Sequence, residues 1–324
     1  MAATTTQQTF DIPKKYKAIV YDKPGTISTK IEELETPEPG AGEVLVRLTH
    51  SGVCHSDMGV MENTWRGLPY PTQAGQVGGH EGVGIVHKLG PGSEVGRVKV
   101  GDRVGIKLTH VVLARLVSKE RTVSVSIRKS PVTIVNPGTF QQYALAPANY
   151  VTPIPDALSS EDAAPMLCAG VTTYSALRKS DAKSGQWVVI AGAGGGLGHL
   201  ACQIGSRGMA LRIIGIDHGS KKELVKSCGA EIFLDITKYD DKTIAEKVKE
   251  VTGGLGASAV IVSMEHNIKG SAVGNQREAL EVLDLASRGI VKTHLRIEKM
   301  DKLTEVFKEM SEGKMQGRVV LDLQ

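Results

Sequence analysis

With 324 residues, the chain is longer than one ordinary hydrophobic core supports, so two domains are expected. Its four cysteines, Cys54, Cys168, Cys202 and Cys228, have no paired spacing, which argues against a disulfide framework and for a reduced, cytoplasmic setting; residues 1–15 carry no apolar run of a signal peptide, and no window reads as a membrane span. The net charge of +4 equals the local excess at 110–135, where Arg115, Lys119, Arg121, Arg128 and Lys129 oppose Glu120 alone, so the rest of the chain is balanced and a nucleic-acid partner is a poor explanation of the composition.

From Tyr16 to about Val151 the chain reads as short strands broken by glycine and proline, among them Glu43 to Leu48, Gly84 to Leu89, Asp102 to Ile106 and Phe140 to Leu145. After Pro155 helical periodicity begins, followed by apolar runs alternating with helices, the pattern of a parallel sheet covered on both faces. Strands are expected at 187–191, 212–216, 232–234 and 259–262, with helices at 200–207, 221–227 and 243–251. The tail is expected to form a helix at 276–288, a strand at 293–297, a helix at 302–310 and a last strand at 318–323.

Two kinds of motif carry chemistry. Cys54-His55-Ser56-Asp57, Gly78-Gly79-His80-Glu81 and Leu167-Cys168-Ala169-Gly170 supply two thiols and an imidazole, a donor set that suits zinc and leaves a fourth position open. As isolated residues they also fit buried thiols and a core histidine. Their company favours a site, since hydroxyl and carboxylate groups follow Cys54 and glycines surround His80.

The second motif is Gly192-Ala193-Gly194-Gly195-Gly196-Leu197-Gly198, which follows an expected strand and precedes an expected helix. Such a loop leaves room for a pyrophosphate and meets it with backbone N–H groups. Asp217 ends the next strand, where a carboxylate accepts from ribose hydroxyls and repels a 2′-phosphate, favouring NAD over NADP. A structural glycine turn with a solvated aspartate is the alternative.

Taken together, Gly52-Val53-Cys54-His55-Ser56-Asp57, Gly75-Gln76-Val77-Gly78-Gly79-His80-Glu81-Gly82, Phe140-Gln141-Gln142-Tyr143, Leu167-Cys168-Ala169-Gly170-Val171-Thr172 and the glycine loop resemble the zinc-dependent medium-chain alcohol dehydrogenases of the fungal and yeast type. The resemblance implies an α/β protein: a GroES-like β-rich catalytic domain at 1–171, a Rossmann coenzyme domain at 172–273, and a C-terminal return to the catalytic domain at 274–324. It implies one catalytic zinc on Cys54, His80 and Cys168, with Glu81 beside the ion, and Asp57 holding the ligand histidine. Ser56 would relay a proton and Trp65 would wall the substrate pocket. His55 and Arg318 would meet the pyrophosphate, Thr172 the nicotinamide side, Gly192, Gly194, Gly195, Gly196, Leu197 and Gly198 the phosphates, and Asp217 with Lys221 the ribose. The activity implied is NAD-dependent oxidation of primary alcohols to aldehydes and the reverse, in a homo-oligomer, a tetramer by family.

The chain also departs from that family. Gly59 stands where a relay histidine is common, and Leu108 where a bulky aromatic is common. Residues 108–135 form an atypical insert without cysteines, so no structural zinc is expected. Near 264–270 the Rossmann half is shortened. These departures motivate an alternative: a catalytically defective or truncated member, or a gene-model artefact, that retains zinc and adenosine binding only.

Overall fold

A computed structural model describes residues 10–65, 70–93, 98–107, 138–261 and 274–324. The atypical insert at 108–135 and the expected gap near 264–270 therefore lie outside the described residues. The chain forms two compact units: one holds Met1–Ile154, Ile297–Glu312 and Val320–Gln324, and the other holds Pro155–Arg296 and Gly313–Val319. The units meet in sequence at Ile154–Pro155, and the tail from 274 contributes to both.

The first unit is β-rich. Strands β1 (Lys15–Tyr21) and β2 (Thr29–Glu35) form an antiparallel pair. Strand β3 (Glu43–Val53) is followed by helix α1 (His55–Met61), then by β4 (Glu81–Leu89), β5 (Arg103–Lys107), β6 (Tyr143–Pro147) and the short β7 (Thr152–Pro153). Strand β3 runs five residues beyond the expected end at Leu48, its pairing with β4 continuing through His50 opposite Val83 and Ser51 opposite Gly82. Strand β6 starts at Tyr143 rather than Phe140, and Phe140 turns into the core instead, edge-on to Phe307 at 6.4 Å. Tyr21, Ile19, Leu45, Leu48, Met61, Phe140 and Phe307 are fully buried there, each such side chain stabilising by roughly 1.5–3 kcal/mol.

The second unit opens with helix α2 (Ser160–Pro165), capped by Ser159, whose hydroxyl accepts from Asp162 N. A π turn at Met166–Gly170 then leads into α3 (Val171–Lys179). Strand β8 (Trp187–Ala191) is followed by α4 (Gly198–Gln203), β9 (Arg212–Asp217), α5 (Lys222–Ser227), β10 (Ile232–Asp235), α6 (Asp241–Val251) and β11 (Ala259–Ile261). These strands are parallel in the order β10-β9-β8-β11. In chain order that is 3-2-1-4, so the direction of strand addition reverses between β8 and β11, the place where α/β sheets bind ligands. Val189, Ile214 and Leu234 form the sheet's core, as continuous apolar runs require when both faces are covered.

Helix α7 (Gln276–Ser287) has a capping box in which Asn275 and Glu278 bond each other's backbone. Strand β12 spans Leu295–Lys299, two residues later than expected. The preceding stretch is claimed by side chains of α4: Lys292 N donates to Gln203 Oε1, and Gln203 Nε2 donates back to Lys292 O, both at 2.9 Å. Helix α8 (Leu303–Ser311) and strand β13 (Arg318–Asp322) end the chain, and the larger sheet has the order β12-β13-β3-β4-β5-β7, with β6 also on β3.

Candidate active site

In the first unit the donors come from the start of α1 and the start of β4. Cys54 is the N-cap residue of α1 and is buried. Asp57, three residues on, turns back so that its Oδ2 accepts from Cys54 N at 3.0 Å. Its other oxygen, Oδ1, lies 2.8 Å from Nδ1 of His80. One carboxylate therefore fixes both the backbone that carries the thiol and the ring of the imidazole. With a carboxylate on Nδ1, that nitrogen keeps its proton, and Nε2 is the atom that would present a lone pair to a metal on giving up its own. Tyr21 steadies the arrangement from behind, donating its hydroxyl to Asp57 O at 3.1 Å. Burial, followed by the Asp57 charge, pushes the Tyr21 phenol well above its ordinary value, so it remains a donor.

His80 is held by competing influences. Burial lowers its affinity for a proton, whereas the Asp57 carboxylate and the Cys54 side chain raise it by more, leaving the imidazole well above its usual range. Glu81 is completely buried at the first position of β4, with Oε1 3.9 Å from His80 Nε2. Its backbone N–H donates to Thr139 Oγ1 at 3.2 Å, and Thr139 shares a second hydrogen bond, 2.7 Å long, with Ser51. The carboxylate fits because residue 52 is glycine: a Cβ there would overlap Glu81 Oε2. Gly79 adopts a φ of +93°, which turns the chain between Gly78 and His80 in a way an L side chain resists. The potential ligand atoms of Cys54, His80 and Glu81 all lie within 4.8 Å of one another.

Other expected residues of this unit fall around these donors. His55 is exposed on the first turn of α1, and Ser56 beside it donates its hydroxyl to Cys54 Sγ at 3.1 Å. Trp65 is 46 % exposed and packs near Gly59. In the second unit, Cys168 sits partly exposed in the π turn and Thr172 on the first turn of α3. Turns of that kind widen a helix locally and are frequent at functional positions.

The glycine loop joins β8 to α4. Gly192 has a φ of +67°, and a Cβ at Gly198 would overlap Gly192 O, so the loop closes on itself only with glycine at that last position. Gly194 N donates to Asp217 Oδ2 at 2.8 Å, and Lys221 Nζ lies 3.5 Å from Asp217 Oδ1. A Cβ at Gly196 would stand 3.0 Å from Arg318 Cδ, with Arg318 buried. The structure thus gathers Gly192 to Gly198, Asp217, Lys221 and Arg318 at the end of β8. Sequence reasoning missed His199, the first residue after the loop, whose ring bonds Gly195 O at 2.8 Å. Its place directly after the loop, at the start of α4, was the available signal.

A parallel sheet of mononucleotide-binding order with such a loop, in one chain with a β-rich unit that presents thiol, imidazole and carboxylate donors, defines an oxidoreductase of the dehydrogenase class. Residues 40–156 match the alcohol dehydrogenase GroES-like domain family. Alcohol dehydrogenase 2 of Emericella nidulans is 52% identical over 362 aligned positions, covering 97% of this chain and 99% of the relative. Alcohol dehydrogenase of Schizosaccharomyces pombe is 38% identical, over 96% of this chain and 98% of the relative. Among solved structures, the acetophenone reductase of Geotrichum candidum in complex with NAD is 25% identical with a TM-score of 0.74, covering 97% of this chain and 98% of that one. The chain belongs to the medium-chain alcohol dehydrogenase family, in its fungal-type branch, and is an alcohol-oxidising enzyme by that membership. The matches lend no support to a non-catalytic product. The 362-position alignment is nevertheless longer than the 324-residue chain, so the relative holds residues that this chain lacks.

Proposed function

We propose that the chain oxidises primary alcohols to aldehydes, and reduces aldehydes in the reverse direction, using one zinc ion and NAD. The observation that carries this reading is the group of Cys54, His80 and Glu81 donors within 4.8 Å of one another, with His80 Nδ1 already engaged by Asp57. A thiol, an imidazole lone pair and a carboxylate suit zinc, and Cys168, placed by its motif, supplies the second thiol of the family's ligand set. Bound there, zinc would supply Lewis acidity toward the substrate oxygen, and NAD would accept or return the hydride.

The chain's own residues do the remaining work. Asp57 orients the imidazole and fixes its tautomer, Ser56 passes the substrate hydroxyl proton toward water, and Trp65 walls the pocket. Asp217 and Lys221 receive the adenosine ribose, His55 and Arg318 meet the pyrophosphate over the loop from Gly192 to Gly198, and Thr172 faces the nicotinamide. A carboxylate at 217 selects NAD over NADP by repelling a 2′-phosphate. We further place the enzyme in the cytoplasm as a homo-oligomer. Among the described residues no helix is long and apolar enough to cross a membrane, which is consistent with that placement.

The test is elemental analysis of the purified chain together with NAD reduction on ethanol. One zinc per chain, turnover with ethanol, and loss of both after dialysis against a strong chelator are expected. Turnover that survives complete removal of zinc would overturn the metal assignment, and zinc-loaded protein without turnover would overturn the activity.

A further inference from the structure

We infer that His199 is a positioning residue of the coenzyme site, whose neutral imidazole ties the glycine loop at Gly195 to His294 and, through His294, to Arg318. The inference rests on the proposed NAD reading of the loop and names what holds that loop and its arginine in one arrangement.

The geometry forms a closed ring. His199 is completely buried on the first turn of α4. Its Nδ1 lies 2.8 Å from Gly195 O, and its Nε2 accepts from His294 N at 3.1 Å. His294 O in turn accepts from Arg318 N at 2.8 Å. Gly317, immediately before the arginine, has a φ of +66° and lies so close to His294 that a Cβ would overlap the carbonyl oxygen. The ring closes where Gly196 faces Arg318 so closely that a Cβ added at the glycine would stand 3.0 Å from Arg318 Cδ. Loop, histidine, extended stretch and arginine are thus each fixed by the next.

Only one state of the ring satisfies both partners. A carbonyl oxygen has no proton, so Nδ1 must donate to Gly195; a backbone N–H has no lone pair, so Nε2 must accept from His294. Protonating Nε2 would set two N–H groups against each other in a dry site. Burial first of all, with the charges of Arg318 and His294 acting in the same direction against the hydrogen bond to Gly195, brings the imidazole down to about 4. His199 is therefore a fixed neutral strut at physiological pH. Gln203, one turn further along, holds Lys292 by the same face of the helix but reaches neither the loop nor the arginine by any hydrogen bond among those described.

The experiment compares ADP-ribose, which carries a pyrophosphate, with adenosine, which does not, by calorimetry on the full chain. H199N keeps a donor for Gly195 and loses the bond to His294, so it should weaken ADP-ribose by about tenfold, the effect of one buried hydrogen bond, and leave adenosine unchanged. H199Q places an acceptor near the former Nε2 but gives up the donor to Gly195, so it should restore only part of that affinity. In turnover, H199N should raise KM for NAD more than it lowers kcat. If H199N does not fold, H199F, which fills the same volume, takes its place. Equal losses for both ligands, or no loss in any folded variant, would overturn the inference while leaving the NAD reading intact. Wild-type chain that binds neither ADP-ribose nor NADH would sink that reading and this inference with it.

Discussion

Asp57 Oδ1 stands 2.8 Å from Nδ1 of His80, while the other oxygen of the same carboxylate accepts from the backbone N–H of Cys54. Two potential metal ligands from separate motifs are thereby oriented by a single buried side chain. Asp57→Asn keeps the shape and one acceptor but removes the charge and the second acceptor. Activity should fall by about 10–100-fold, the usual effect of losing such a supporting partner. Steady-state kinetics with zinc analysis of the same sample check this, and unchanged kcat/KM would refute the orienting role.

Gly52 is expected to be intolerant of any side chain. A Cβ there would overlap the Glu81 carboxylate, which is fully buried. Gly52→Ala should cost on the order of 1–3 kcal/mol by overpacking. A lowered melting temperature would show it, and a melt identical to wild type would mean that β3 and β4 part easily at this point.

Asp217 should decide coenzyme choice. Its carboxylate already accepts from Gly194 N at 2.8 Å and faces Lys221. Asp217→Gly removes the negative charge and leaves the lysine for a 2′-phosphate. The ratio of kcat/KM for NAD over NADP should fall by about tenfold or more, equivalent to about 1.4 kcal/mol. A ratio that does not move would take this carboxylate out of coenzyme selection.

His199 makes stability depend on pH with a definite sign. The ring titrates near 6.5 when unfolded and at about 4 when folded. Below pH 6.5 the unfolded chain binds a proton that the folded chain refuses, so stability is full above that value and declines as pH falls toward 4. Between pH 7 and pH 5 the wild type should lose about 2 kcal/mol more than H199Q, in which this group is absent while all others are shared. Urea unfolding at the two pH values measures the difference, and parallel losses in both proteins would contradict it.

Local motifs were legible because their chemistry is local. Cys54 and Asp57 are three residues apart, a spacing that lets a carboxylate cap its own helix start. The strand, loop and helix from Trp187 to Gln203 follow from an apolar run, a glycine cluster and helix-forming residues in succession. The residue pattern places the start of the strand at Thr293, whereas strand β12 begins only at Leu295. There the polar side chains of α4 compete successfully for the backbone, a contest that a residue pattern does not display.

By itself, the amino-acid sequence determined the family, the parallel-sheet unit with its glycine loop, and the kinds of donor atoms available, since residue type and short spacing suffice for these. Only tertiary structure decided that Glu81 is sealed behind Gly52 and that His199 bridges to His294 across 95 residues of sequence. Hydrogen bonds of that range depend on where two distant backbone segments come to rest. Their geometry, unlike residue identity, is set by packing the whole unit at once.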